Sequence, residues 1–254
     1  MEPFPDLWRP GAASQPLDED SVHVWAVWLD LPDDAVRAQE ALLSPDETAR
    51  AARYRYRDLA REFILGRAAL RAILGSYLEA PAEKLAFTLE ARGRPALERS
   101  SARIDLRFNL SNARDLALVA VTRGRQVGID LESNRRAVDP RQIAAHFFAP
   151  AECQVLFALP EADQKAAFLN CWTRKEAYLK GRGSGLARAL DRFEVTLRPG
   201  EPARLLRDET DPSAPARWSL AALEGLPGYT AALAVEAGHF RLDRFRFLWN
   251  AEHL

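Results

Sequence analysis

Two short stretches carry side chains whose types and spacing suit joint chemistry. In Gly128-Ile129-Asp130-Leu131-Glu132, strand geometry sends residues two apart to the same face, so Asp130 and Glu132 project together while Ile129 and Leu131 face a core. Neighbouring carboxylates raise each other's pKa unless a cation lies between them. Magnesium takes hard oxygen ligands, commonly one or two carboxylates with phosphate oxygens and water. In Trp172-Thr173-Arg174-Lys175-Glu176-Ala177-Tyr178-Leu179-Lys180, residues four apart line one helix face. Trp172 is an apolar anchor, Glu176 a third carboxylate and Lys180 a cation one turn on.

Each stretch taken alone has a plainer reading: an acidic strand end in solvent, and a surface Glu–Lys pair. Taken together, three carboxylates, a lysine and an aromatic suit a magnesium–diphosphate site. Lys180 would neutralise charge on a leaving group, and a carboxylate, or water held by it, would accept the proton of an attacking hydroxyl. A third stretch, Arg107-Phe108-Asn109-Leu110-Ser111-Asn112, ends a strand in small polar residues that offer donors to a phosphate. Its plainer reading is a polar turn.

The surrounding elements must position these groups. Val22 to Leu31 reads as a strand. Ser44-Pro45-Asp46-Glu47 is a helix start with a capping box, and a long helical pattern follows through Leu59, Phe63, Leu70, Ile73, Leu74 and Tyr77. Leu85 to Leu89 reads as a strand, and Arg92 to Pro95 as a turn. Three strands are expected at Leu106–Leu110, Leu116–Thr122 and Gln126–Leu131. Helices are expected over 140–159 and 161–181, ended by glycines at 181, 183 and 185. The rest is strand-rich, over 193–197, 217–220, 229–235 and 240–248, with 199–216 as a polar loop. This order favours an α+β fold of two similar halves meeting near residue 125: a flexible tail over 1–20, an N-terminal half over 21–125 and a C-terminal half over 126–254.

Of 254 residues, 48% are hydrophobic, enough for a real core, and net charge is −1 from 35 basic and 36 acidic residues, so no global basic field for nucleic acid exists. Cys153 and Cys171 do not form a CxxC pair and imply no disulfide framework. The histidines show no zinc-type spacing. No signal-peptide pattern and no apolar run of about 18 residues appears, so no membrane span is expected and the cytoplasm is the default location.

The chain resembles the Sfp-type 4′-phosphopantetheinyl transferases through the two central motifs above. Ser44-Pro45-Asp46-Glu47, Gly93-Arg94-Pro95, Phe108-Asn109-Leu110-Ser111 and Phe147-Phe148-Ala149-Pro150-Ala151-Glu152 match in the same order. The matches span roughly residues 44–193. The resemblance implies two α+β halves related by a pseudo-twofold axis, with coenzyme A in the cleft between them. It implies a magnesium-dependent (or manganese-dependent) transfer of phosphopantetheine to a serine of an acyl or peptidyl carrier protein, releasing 3′,5′-ADP. By similarity Asp130, Glu132 and Glu176 are the metal ligands, Glu176 or Glu132 helps activate the serine, and Lys180 assists the leaving group. Lys175 matches the motif, with a surface lysine as its plainer reading. Arg50, Arg94, Ser111 and Asn112 fall at the family's coenzyme A contacts, and the family usually acts as a monomer.

Two departures stand out. The family's His-Ser after the strand serine is Asn112-Ala113 here, so positive charge is lost at that point, with Arg61 or Arg67 as candidate support. His146 stands where the family often has arginine. The carrier is expected against residues 133–150, where Arg135, Arg136 and Arg141 accompany Phe147 and Phe148, which read equally as core. Two competing readings are a non-catalytic coenzyme A or carrier-binding homologue and another magnesium–diphosphate enzyme. The second lacks any GxxxxGK[ST] loop.

Overall fold

The computed structural model describes residues 5–11, 16–89, 95–98, 104–135, 137–183 and 190–249. Arg94, Arg136 and Gly185 lie outside these residues. By its internal contacts the chain forms two units, 1–124 with 241–254 and 125–240.

In the first unit, a five-stranded sheet has the order β1-β12-β2-β6-β5, built from β1 (Arg9–Pro10), β2 (Ser21–Trp28), β5 (Leu106–Ala113), β6 (Leu116–Arg123) and β12 (Arg241–Arg246). Helices α1 (Asp33–Gln39), α2 (Pro45–Ala51) and the 22-residue α3 (Arg57–Leu78) accompany it, with the short pair β3 (Phe87–Leu89) and β4 (Pro95–Leu97). The buried side of α3, with Leu65, Leu70 and Leu74, joins Trp25, Val119 and Phe245 of the sheet in one apolar core.

Two sequence expectations change here. The single long helix after Ser44 is two helices, although no Pro or Gly marks the break. The reason is an ion-pair node: Glu47 caps α2 through Ser44 and also binds Arg67 and Arg71 of α3. A continuous helix would carry residues 20 apart about 30 Å away from each other, so the chain must fold back between Ala52 and Tyr56. Leu59, expected on the apolar face, is exposed. A helix the sequence reading missed, α1, supplies Asp33, which pairs with Arg57 and Arg61.

The boundaries also depart from the expected ones. The last strand, β12, runs parallel to β2, with Phe245 opposite Trp25, and so returns to the first unit. Part of the expected flexible tail is ordered too: Arg9–Pro10 extends the sheet beside Phe245–Arg246, Arg9 pairs with Asp243 at 2.7 Å, and Trp8 is buried. Proline is tolerated there because β1 is the sheet edge.

In the second unit, a three-stranded antiparallel sheet has the order β10-β11-β7, from β7 (Val127–Ser133), β10 (Ser219–Ala222) and β11 (Tyr229–Val235). The 22-residue α6 (Glu161–Arg182) packs on it. Helix α4 (Pro140–Phe147) and helix α5 (Pro150–Ala158) replace the single expected helix over 140–159. The cause is Pro150, which holds the preceding Ala149 extended (φ −63°, ψ 149°). The expected loop over 199–216 contains β9 (Leu205–Asp208), paired with β8 (Phe193–Val195), and the short α7 (Ala214–Arg217). The α+β class therefore holds in both units, each stacking one 22-residue helix on its own sheet. Among the described residues no helix is long and apolar enough to cross a membrane.

Candidate active site

The carboxylate strand and the Glu–Lys helix meet because neither backbone carries a side chain at their crossing. A Cβ at Gly128 would stand 2.0 Å from the Ala177 carbonyl oxygen and 2.2 Å from the Gly181 nitrogen. Glycine at 128 thus lets α6 lie directly on β7. Two residues along the same strand face comes Asp130, then Glu132, while Glu176 and Lys180 flank the helix side of the crossing.

Lys180 Nζ donates to Asp130 Oδ1 at 2.6 Å. Asp130 is buried and Glu132 half-buried. Glu176 is only 9% exposed, and its Oε1 is buried with no hydrogen-bond partner among the described residues. Burial pushes the Glu176 carboxyl up to about 7; Asp130 and Glu132 push the same way and Lys180 opposes them. Glu176 therefore feels the charge of both strand carboxylates. Among the described residues, however, no three His, Cys, Asp or Glu side chains are gathered closely enough to hold a metal ion; the ammonium of Lys180 is the cation against Asp130. The donor set, three carboxylates with a buried lone-pair oxygen on Glu176, suits a hard cation in kind.

Lys175, one residue from Glu176, is not a surface lysine. Its ammonium is fully buried, 2.7 Å from Glu152 Oε2, and donates to the carbonyls of Leu190 and Phe193. Trp172 stacks on Phe168 and meets the edge of Phe147. Of the Phe147-Phe148 pair, Phe148 is core, 4% exposed and stacked on Phe168, whereas Phe147 is 47% exposed.

Of the expected coenzyme A contacts, Arg50, Ser111 and Asn112 fall in the first unit. Arg50 lies on the short α2 rather than on a long helix, its guanidinium 5.0 Å over the Phe63 ring. Ser111 and Asn112 end β5, Ser111 buried and Asn112 exposed. A pocket of about 230 Å³ gathers Arg50, Phe63, Arg67, Asn109 and Asn112 with Glu62. The arginines proposed as support are committed elsewhere: Arg61 to Asp33 and the Leu31 carbonyl, Arg67 to Glu47. Sequence reasoning missed Glu62 and the ion-pair roles of Glu47 and Glu152. Only the i, i+4 spacing of Arg67 and Arg71 hinted that a carboxylate must face them.

Two family models match the chain: the 4′-phosphopantetheinyl transferase superfamily over residues 126–234, and the 4′-phosphopantetheinyl transferase N-terminal model over 28–123. Among curated relatives, the 4′-phosphopantetheinyl transferase HetI of Nostoc sp. is 42% identical over 90% of this chain and 93% of its own. The transferase psf-1 of Bacillus pumilus is 32% identical over 75% and 81% respectively, and Sfp of Bacillus subtilis 25% identical over 87% and 95%. The chain belongs to the 4′-phosphopantetheinyl transferase superfamily.

Proposed function

We propose that this chain, as a 4′-phosphopantetheinyl transferase, moves the phosphopantetheine of coenzyme A onto a serine of an acyl or peptidyl carrier protein, with Asp130, Glu132, Glu176 and Lys180 as its reacting-end machinery. Family membership carries the transfer itself. The observation that supports the residue assignment is the glycine crossing, which puts the buried, unsatisfied Glu176 carboxylate of α6 beside the carboxylates of β7.

Asp130, Glu132 and Glu176 would hold magnesium or manganese. The metal, when bound, supplies Lewis-acid polarisation of the diphosphate and charge neutralisation. Glu132 or Glu176 accepts the proton of the serine hydroxyl. The serine oxygen forms a bond to the β-phosphorus as the bond to the nucleotide-side bridging oxygen breaks. The new negative charge appears on 3′,5′-ADP, where Lys180, released from Asp130, neutralises it. Arg50, Arg94, Ser111 and Asn112 hold the nucleotide end of coenzyme A. The exposed Phe147, with Arg135, Arg136 and Arg141, faces the carrier, since acidic carrier domains suit basic residues beside an apolar contact. The chain acts as a monomer in the cytoplasm.

The test is intact-protein mass spectrometry of an apo carrier domain incubated with this chain, coenzyme A and magnesium. A gain of one phosphopantetheine, lost with chelator and in Asp130→Ala, supports the reading. Full labelling by Asp130→Ala would remove the metal assignment. Carrier binding with no product at saturating coenzyme A would favour the non-catalytic homologue.

A further inference from the structure

The first unit's pocket is not uniformly basic. Glu62 of α3 lines it beside Arg50, Arg67, Asn109 and Asn112. Asn112 Nδ2 donates to Glu62 Oε2 at 3.2 Å, so a pocket donor is already turned toward a carboxylate. Of the two arginines, Arg67 is bound to Glu47, and Arg50 lies over Phe63. Burial raises the pKa of Glu62; Asn112 opposes the shift, Asp115 and Asp58 add to it, and Arg114 opposes it. An acid therefore stands in a half-buried wall among groups that would otherwise receive an anion.

We infer that Glu62 is a specificity-determining residue that opposes a phosphomonoester in this pocket, so that the protein discriminates little between coenzyme A and 3′-dephospho-coenzyme A. This rests on the reading above that Arg50 and Asn112 face the nucleotide end of coenzyme A. A phosphate dianion entering the pocket must take the Asn112 amide from Glu62 and meets a like charge there. A ligand ending in the ribose hydroxyl carries no such charge and can accept from Asn112 or donate to Glu62. Coenzyme A and its dephospho form differ only in that phosphate, so the two ligands isolate the effect.

The experiment measures binding by calorimetry without carrier or transfer, using adenosine 3′,5′-bisphosphate and adenosine 5′-monophosphate. Unaltered protein should bind the two within about threefold of each other. Glu62→Gln keeps the shape and the hydrogen bond to Asn112 but removes the charge. It should tighten the bisphosphate about tenfold and move the monophosphate less than twofold. The ratio of KM for coenzyme A to KM for 3′-dephospho-coenzyme A should fall by a similar factor in the carrier-labelling assay. Equal tightening of both nucleotides would overturn the inference, because Glu62 would then act on the nucleotide as a whole. No change in either would also overturn it. Arg50→Ala separates the underlying reading: if it too leaves bisphosphate binding unchanged while carrier labelling persists, the pocket is not the nucleotide site, though the transfer stands.

Discussion

Lys175 Nζ lies 2.7 Å from Glu152 Oε2, with both side chains shut away from solvent at 0% and 3% exposure. Glu152 also accepts from the backbone of Ala149 and Val195, so one carboxylate fixes the start of α5, strand β8 and helix α6 together. Lys175→Met should cost about 3–5 kcal/mol, because it strands a buried carboxylate. The double variant Lys175→Met with Glu152→Gln should cost clearly less than the sum of the singles, with a coupling of about 2 kcal/mol. Urea unfolding of the four proteins measures this. Strict additivity would mean the pair does not act as a unit.

Gly128→Ala should destabilise by about 3 kcal/mol, since the added methyl meets the α6 backbone at Ala177 and Gly181, and neither can swing aside. Gly181→Ala should cost less. Its added methyl first meets the Trp218 ring, at 2.7 Å, and a side chain yields more easily than a helix backbone. Denaturant midpoints for both variants check the order; a reversed order would show that α6 can lift off β7 cheaply.

These two glycines also show what was legible from the sequence. The same-face placement of Asp130 and Glu132 follows from strand periodicity alone, and the Ser44–Glu47 capping box forms with the expected bonds. Strand β11 falls on the expected residues 229–235. What the sequence could not disclose depends on long-range contact. Nothing local says that Lys175 is buried, because its partner Glu152 lies 23 residues away on another helix. Nothing local breaks the helix between Ala52 and Tyr56; the break exists so that Glu47 can reach Arg67 and Arg71. The parallel return of β12 to β2 is likewise invisible to any windowed pattern. Asn112 reads in the sequence as a lost positive charge, but nothing local points to its carboxylate partner Glu62, 50 residues earlier.

Glu176, when ionised, costs the fold stability. Its carboxyl is raised to about 7 from an ordinary 4.5, chiefly by burial and then by Asp130 and Glu132. The folded state thus prefers the protonated form: this stabilisation is complete below the ordinary value and is lost as pH rises through about 7. At pH 8 with chelator, Glu176→Gln should therefore melt higher than unaltered protein. On the proposed metal assignment, magnesium should raise the Tm of unaltered protein but not that of the variant. A lower Tm for the variant in chelator would contradict the burial of an uncompensated charge at this position.

His23 should make the first unit acid-sensitive. Trp25 Nε1 donates to the Tyr77 hydroxyl at 2.8 Å, and that hydroxyl lies 2.8 Å from His23 Nδ1. The hydroxyl oxygen accepts from Trp25 and has its own proton to offer Nδ1, an arrangement that suits a neutral imidazole with its proton on Nε2, the nitrogen 3.9 Å from Asp243. Burial lowers the His23 pKa to about 4; Asp243 opposes the shift, while Arg241 and Arg9 assist it. A histidine with a depressed folded pKa contributes stability that is fully present above its ordinary value of 6.5. That stability is lost as pH falls from there through about 4. Chemical unfolding midpoints should therefore drop across this window, and strand β12, whose Phe245 packs on the His23 ring, should lose amide-exchange protection first. His23→Gln should be less stable at pH 7 yet lose less between 6.5 and 4. Parallel pH profiles for the two proteins would assign the acid sensitivity to groups other than His23.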